Sequence, residues 1–194
     1  MRSSPGSATT SCWYPHPADL EPARVGRDGT LALTLERRAG TTVLGRCRYA
    51  LPLQVLAPLA LGGPAAVVSV LNPTGGLVGG DRLAIDVTLG RAAHGCLTTP
   101  SATKVYRTAG AAAEQRVRLR LEAGAILEWV PDHTIPFADS AFRQAIDCEV
   151  GDGATLLLMD AFAARDARCG GSRSSRAPSP CATTAAPSST TASC

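Results

Sequence analysis

Residues 82–93 read Arg-Leu-Ala-Ile-Asp-Val-Thr-Leu-Gly-Arg-Ala-Ala and contain the two features that decide the fold. Apolar and polar side chains first alternate, with Leu83, Ile85, Val87 and Leu89 on one side. Such alternation predicts a half-buried β-strand whose apolar side faces a core. A glycine and small residues follow, which permit a tight corner where a Cβ would clash.

The same alternation recurs along the chain. It covers Leu31 to Leu35, Val117 to Leu121 and Phe142 to Val150, which are therefore predicted as strands with one buried face. Two apolar runs, Val67 to Leu71 and Leu156 to Met159, predict strands buried on both faces. Helical signals are few, and in the alanine-rich segment 109–118 one turn of helix is conceivable.

The strand and its corner form a weak repeat. Gly-Ala or Gly-x-Ala corners end the segments 87–93, 119–125 and 148–154. A spacing of about thirty residues is typical of stacked strand layers. The sequence therefore predicts an all-β fold of many strands in a β-helix-like, stacked-sheet architecture with few short helices. A plain antiparallel sandwich with similar turns stays open as the alternative.

Charge and composition exclude several classes of function. The 194 residues carry a net charge of +3, and the excess of arginine over acid lies after residue 163. The body of the chain is neutral, so we expect no nucleic-acid partner and no membrane partner. Glycine and proline interrupt the uncharged stretch 55–71, and residues 1–24 are predicted to be a poorly ordered segment without a signal peptide. We expect a soluble, cytoplasmic protein.

The end of the chain differs from the body. Residues 163–194 are rich in Ser, Arg, Ala, Pro, Thr and Cys and have no apolar period. Such a segment buries too little apolar surface to offset its ordering entropy. It is either a disordered tail or the product of a reading-frame shift in GC-rich coding sequence, and its composition favours the frame shift. The seven cysteines include no C-x-x-C pair, so we expect free thiols.

Three stretches could carry chemistry. The first is the glycine-rich loop at residues 71–83, Leu-Asn-Pro-Thr-Gly-Gly-Leu-Val-Gly-Gly-Asp-Arg-Leu, whose amides could cradle an anion. No Lys-Ser/Thr pair follows it, so it is not a Walker A loop. The alternative is that its glycines permit positive φ and close approach between strands.

The second stretch, residues 97–107, collects hydroxyls with Lys104, Tyr106 and Arg107. It could bind a phosphate or carboxylate, or it could be a solvated strand edge. The third, residues 127–137, carries Glu128, Asp132 and His133, which are weak candidates for proton transfer or metal contact. The chain contains neither a nucleophile elbow nor a His-x-His pair, so no catalytic set is predicted.

Taken together, these stretches resemble the UreD family of urease accessory proteins, called UreH in some organisms. The resemblance rests on residues 72–81, 98–107 and 127–131, and it covers residues 25–162, which we interpret as a partial all-β domain. It implies a structural or partner-facing role, not a catalytic one, for these motif residues: Asn72, Pro73, Gly75, Gly76, Gly79, Gly80, Asp81, Thr98, Thr99, Pro100, Lys104, Tyr106 and Arg107.

The resemblance also implies a function. Proteins of this family are non-enzymatic scaffolds that bind apo-urease and UreF, and through UreF the GTPase UreG. The assembly inserts nickel, with no tightly bound cofactor in the scaffold and a transient passage of nickel(II). Two alternatives remain: a β-solenoid interaction module unrelated to nickel, and a hydrolase that uses the glycine-rich loop to bind an anion.

Two departures from the family pattern stand out. Asp132-His133 occupies a position where the family often has Gln-Glu, so a role for that acid is in doubt. Family members also continue with further strands beyond the match, which here stops near Phe162. The sheet is therefore predicted to be incomplete at its C-terminal side, with exposed strand edges, poor solubility and loss of function.

Overall fold

The structure, a computed structural model, describes residues 26–60, 62–108 and 110–163. Within these ranges the chain forms strands joined by turns and loops, and no segment is helical, so none is an apolar helix of membrane-spanning length. The strands are β1 (Asp28–Arg38), β2 (Thr41–Ala50), β3 (Gln54–Val55), β4 (Leu59–Ala60), β5 (Ala65–Leu71), β6 (Arg82–Leu89), β7 (His94–Thr98), β8 (Thr103–Val105), β9 (Ala113–Leu121), β10 (Ile126–Trp129), β11 (Thr134–Pro136), β12 (Phe142–Val150) and β13 (Thr155–Leu158).

The strands form three sheets. Sheet I has the order β12-β9-β6-β1-β2, and sheet II has the order β13-β10-β7-β5-β3, with β4 also paired to β5. Sheet III is the pair β11-β8. From β6 onward the chain passes from sheet I to sheet II and back, adding one parallel strand to each sheet per turn. Antiparallel pairing is confined to the N-terminal strands β1 to β5.

The register of the stacked strands shows where the hydrophobic core lies. Leu33 lies beside Val87, Val87 beside Leu119, and Leu119 beside Cys148, so one inward column crosses four strands of sheet I. The first three of these side chains are buried, and Cys148 is half-buried. Parallel strands that share one apolar column bury it against the facing sheet. The core therefore lies between sheets I and II.

The predicted corners connect sheet I to sheet II. Each is a four-residue turn closed by a backbone hydrogen bond, from Ala93 to Gly90, from Ala125 to Glu122 and from Ala154 to Gly151, at 3.0 Å in each case. The third residue of each turn has a positive φ: 52° at Ala92, 69° at Gly124 and 63° at Gly153. Equivalent turns stack on each other, which explains the period seen in the sequence.

The prediction of an all-β stacked architecture is confirmed. Parallel pairing between successive turns of the chain decides against a purely antiparallel sandwich. The helical turn considered for residues 109–118 does not form in the described part, where β9 begins at Ala113. Alternation prevails over alanine content there because Val117, Leu119 and Leu121 complete the buried column.

The two apolar runs are less buried than predicted. In β5 only alternate residues are buried, and Val67 and Leu71 are half-buried. Leu156 to Met159 were expected to be buried on both faces, but Leu157, Leu158 and Met159 are 52%, 39% and 51% exposed. The reason is position: β13 is the last strand of sheet II, and none of the described strands pairs with its far side. The predictions for residues 1–24 and for 164–194 lie outside the described residues.

Candidate functional site

The two ends of the stack differ. At one end lie the tight corners, and at the other end long connections lead from sheet II back to sheet I. These connections are residues 72–81, residues 99–112 with β8, and residues 130–141 with β11. They enclose a cavity of about 440 Å³ that reaches between the two large sheets. Concave sites of this size are where small ligands and ions are usually held.

Most of the predicted site residues line this cavity. Of the two signature stretches, the cavity walls include Asn72, Pro73, Gly75, Gly76, Thr98, Thr99, Pro100 and Lys104. Gly79, Gly80, Asp81, Tyr106 and Arg107 are outside the lining and support it from behind or face solvent. The topology thus brings two stretches that are separate in sequence to one wall.

The glycine-rich loop uses its own amides internally. Asn72 organises its start, since its Oδ1 accepts from the Thr74 amide at 3.1 Å and from the Thr74 hydroxyl at 2.6 Å. Farther along, the Leu77 amide donates to the Lys104 carbonyl at 2.7 Å, and the Tyr106 amide donates to the Leu77 carbonyl at 2.8 Å. Amides bound within the protein are not directed at a ligand, so the geometry gives little support to an anion cradle.

Gly76 permits the closest approach in this loop. It is buried and has φ of 153°, and a Cβ there would lie 2.5 Å from the Lys104 carbonyl oxygen and 2.7 Å from the Tyr106 ring. The Tyr106 hydroxyl donates to the Gly75 carbonyl at 3.2 Å, and its ring packs edge-on against Phe137 at 5.4 Å. The loop is therefore fixed against β8 by backbone contact that a side chain would prevent.

Asp81 fixes the far end of the same loop. This residue is 2% exposed. Its Oδ1 accepts from the Arg27 amide at 2.8 Å and its Oδ2 accepts from the Val78 amide at 2.9 Å. One buried carboxylate thus joins the loop to the residue before β1, and charge-assisted bonds of this kind are stronger than neutral ones.

The second signature stretch contributes a hydrogen-bonded wall and an exposed rim. The Thr99 hydroxyl accepts from the Asp132 amide at 2.9 Å, which ties this connection to the next one in the stack. Arg107 is 79% exposed and lies 3.5 Å from the Asp139 carboxylate. A long, solvated cation at such a rim is available to a protein partner.

The structure does not bring Glu128 and His133 together. Glu128 Oε1 is 3.0 Å from His94 Nε2 on the neighbouring strand β7, while His133 Nδ1 is 2.6 Å from Asp132 Oδ1. Neither Glu128 nor His133 lines the cavity, although Asp132 does. Hydrogen bonds from the His133 amide and ring lower the pKa of the Asp132 carboxyl below its ordinary value.

Sequence reasoning missed three polar residues of the cavity that lie outside the three motif stretches. Gln115 and Gln144 stand side by side on β9 and β12, and Gln144 Nε2 donates to Asp160 Oδ2 at 2.9 Å. Partial burial raises the pKa of the Asp160 carboxyl, and the bond from Gln144 opposes that rise. The signal was present, because both glutamines occupy the inward parity that Val117 and Ile146 set for their strands.

The atoms of the cavity wall that could contact a metal ion are mainly oxygens. Hydroxyl, amide and carboxylate groups come from Thr98, Thr99, Gln115, Gln144 and Asp160. In the part of the chain that the structure describes, no three His, Cys, Asp or Glu side chains are grouped so that they could hold a metal ion. The cavity can therefore offer a mobile cation isolated oxygen contacts along its wall.

This combination defines a class: a β-solenoid-like protein whose stacked sheets enclose a largely apolar cavity with a few oxygen donors on its wall. Comparison with known proteins gives the family. The family model described as UreD urease accessory protein matches residues 27–171, and this chain belongs to the UreD family. The family resemblance read from the sequence is confirmed by that match.

Curated relatives carry the same description. Urease accessory protein UreD of Delftia acidovorans is 45% identical over 138 residues, which are 70% of this chain and 45% of the relative. The proteins of that name from Acaryochloris marina and Sorangium cellulosum are 44% and 41% identical over 132 and 146 residues, covering 68% and 75% of this chain. The chain spans about half the length of these relatives, at 45% to 47% of each.

Proposed function

We propose that this chain acts as a scaffold in urease maturation, with no catalytic step of its own. In this role it binds apo-urease and UreF, reaches the GTPase UreG through UreF, and lets nickel(II) pass transiently. Membership of a family described as urease accessory proteins supports the general role. The finer role rests on the cavity, because a scaffold that only held two proteins together would have no use for oxygen donors placed inside a largely apolar interior.

The composition of the cavity is the observation that carries the nickel part of the proposal. Nickel(II) is held firmly by several imidazole or thiolate ligands, and more weakly by scattered oxygen donors. The lining offers Gln115 and Gln144 from sheet I, and Thr98 and Asp160 from sheet II and the residues that follow it. An ion that meets such contacts one at a time is bound only weakly at each. Weak binding is what a transported ion needs, whereas a resident cofactor would need a full set of ligands.

Binding to the maturation partners tests the scaffold. We expect a chain extended by the C-terminal part of a UreD relative to be retained by immobilised apo-urease together with UreF. Arg107→Ala should weaken retention, because this rim residue is 79% exposed and its guanidinium is engaged only loosely, at 3.5 Å from Asp139. Arg116→Ala is the matched control, since that arginine is 59% exposed and also pairs with one aspartate, on sheet I. Failure of the extended chain to bind either protein would defeat the proposal.

A change inside the cavity tests the passage separately. Gln115→Leu removes an oxygen donor from the cavity. Leucine is chosen because Leu83 occupies the equivalent inward position on the neighbouring strand β6. We expect partner binding to persist, the free energy of unfolding to stay within about 1 kcal/mol, and the nickel content of urease to fall several-fold in a reconstitution assay. Glu114→Leu places the same side chain on the outer face of the same strand and should leave nickel content unchanged. Equal effects of both variants would contradict a passage through the cavity.

A further inference from the structure

The outer side of β12 is an open sheet edge. Sheet I ends at this strand, and within residues 26–60, 62–108 and 110–163 no strand pairs with its far side. The strand is nine residues long, Phe142–Val150, which is long for an unprotected edge. It carries three outward charges: Arg143 and Glu149 are each 73% exposed, and Asp147, which pairs with Arg116, is 46% exposed.

Hydrogen-bond parity shows which residues of β12 serve the edge. The Ala113 amide of β9 donates to the Ala141 carbonyl at 3.0 Å, and the Gly151 amide donates to the Leu121 carbonyl at 2.8 Å. A strand residue directs its N–H and C=O to one side, and its neighbours direct theirs to the other. Odd-numbered residues therefore face β9, and the five even-numbered residues from Phe142 to Val150 present their backbone groups to the open edge.

We propose that two copies of this chain pair through this edge, with β12 antiparallel to β12 of the second copy about a two-fold axis at Ile146. The sequence of β12 is self-complementary in this arrangement. Arg143 faces Glu149 of the second copy, and by symmetry Glu149 faces Arg143. Phe142 likewise faces Val150, and Ile146 faces itself. Opposite charges directly across two strands stabilise the pair.

The same two-fold axis joins the apolar ends of the two cores. It is perpendicular to sheet I, so sheet II lies on the same side in both copies and the edges at β13 also approach each other. Val150 and Leu158, which are 45% and 39% exposed at the end of the core, become covered. Five donors from each copy give about ten backbone hydrogen bonds across the edge.

Hydrogen-bond parity excludes the in-register parallel pairing of the same two strands. That pairing would need the backbone groups of odd-numbered residues in the second copy, and these already bond β9. Antiparallel pairing uses the even-numbered residues of both copies and sets Arg143 and Glu149 against each other as opposite charges. A two-fold contact of this kind also closes on itself, so it yields a dimer and not a growing fibre.

Sedimentation velocity of the full 194-residue chain over a range of concentrations tests the proposal. We expect a monomer–dimer equilibrium whose dissociation constant rises about tenfold in Glu149→Arg, because two attractions become repulsions. The double variant Arg143→Glu/Glu149→Arg should return close to the parent value. Within one copy the double variant brings like charges together, two carboxylates at positions 114 and 143 and two guanidinium groups at positions 120 and 149. If the dissociation constant of the double variant returns to the parent value, the cause can therefore only be the contact between the two copies.

Ile146→Pro supplies a second, independent measurement. Its missing N–H faces the open edge and not β9, so the internal ladder keeps its bonds and thermal unfolding should stay cooperative. We expect this variant to be monomeric. A chain that is monomeric at every concentration, as it would be if residues 164–194 or another protein's strand were the true occupant, overturns the proposal. A dimer that survives Ile146→Pro, or a double variant as weak as Glu149→Arg, overturns it too.

Discussion

Replacing Asp81 by alanine is expected to lower the free energy of unfolding by about 3 kcal/mol. The variant leaves two backbone donors, the amides of Arg27 and Val78, without their acceptor beside a side chain that is almost fully buried. Each orphaned donor costs roughly 1–3 kcal/mol. Urea unfolding followed by circular dichroism measures the difference.

Two further variants make this result specific. Asp81→Asn retains one oxygen acceptor and turns an N–H₂ group toward the other donor, so its loss should fall between those of the parent and the alanine variant. Asp86→Ala removes a carboxylate that is 43% exposed on the outer face of the following strand, β6, and it should change stability by no more than about 0.5 kcal/mol. If Asp81→Ala is as mild as Asp86→Ala, Asp81 does not fix the loop.

Replacing Gly76 by alanine is expected to cost about 3 kcal/mol, through a clash and an unfavourable backbone conformation together. The new Cβ would meet the Lys104 carbonyl oxygen, which is backbone and cannot rotate away. The loop must then move off β8, which breaks the bond from the Leu77 amide to Lys104. The same urea titration reports the loss, and a change in the near-ultraviolet signal of Tyr106 reports the displacement.

Alanine variants of two other glycines separate the cost of the clash from the cost of the backbone conformation. Gly40 has φ of 88°, and a Cβ placed there would have no atom within 4 Å, so Gly40→Ala should show only the backbone contribution of about 1 kcal/mol. Gly63 has open space and no positive φ, so Gly63→Ala should be nearly neutral. A Gly76→Ala variant no worse than Gly40→Ala would mean that the loop yields easily and that its contact with β8 is not required.

Much of the fold was readable because alternation reports burial directly. Leu31, Leu33 and Leu35 were predicted inward and are at most 2% exposed. Alternation does not, however, distinguish parallel from antiparallel neighbours, because each residue shows only which face it presents. Only the recurrence of the glycine corners favoured stacking, and the stacked turns at Ala93, Ala125 and Ala154 are the feature that bears this out.

The wrong predictions concern burial and side-chain pairing. Both depend on residues that are distant in sequence but close in the folded structure. The run from Leu156 to Met159 is apolar, but whether its faces are covered depends on neighbouring strands that local sequence does not specify. Glu128 was weighed with His133 because they are close in sequence, yet strand pairing sets Glu128 opposite Cys96 on β7, from where its side chain reaches His94. The glycine-rich stretch was identified correctly as a loop, but the glutamines that share its cavity come from distant strands.

The parallel register has a consequence for how the chain reaches its native state. Leu33 lies beside Val87, Val87 beside Leu119, and Leu119 beside Cys148, so residues that meet are synthesised far apart in time. Contacts of such long range make folding slow, on the order of milliseconds to seconds. As the polypeptide emerges from the ribosome, however, each finished layer is a ready template for the next. Assembly should therefore advance from the N-terminus, one layer at a time, during synthesis.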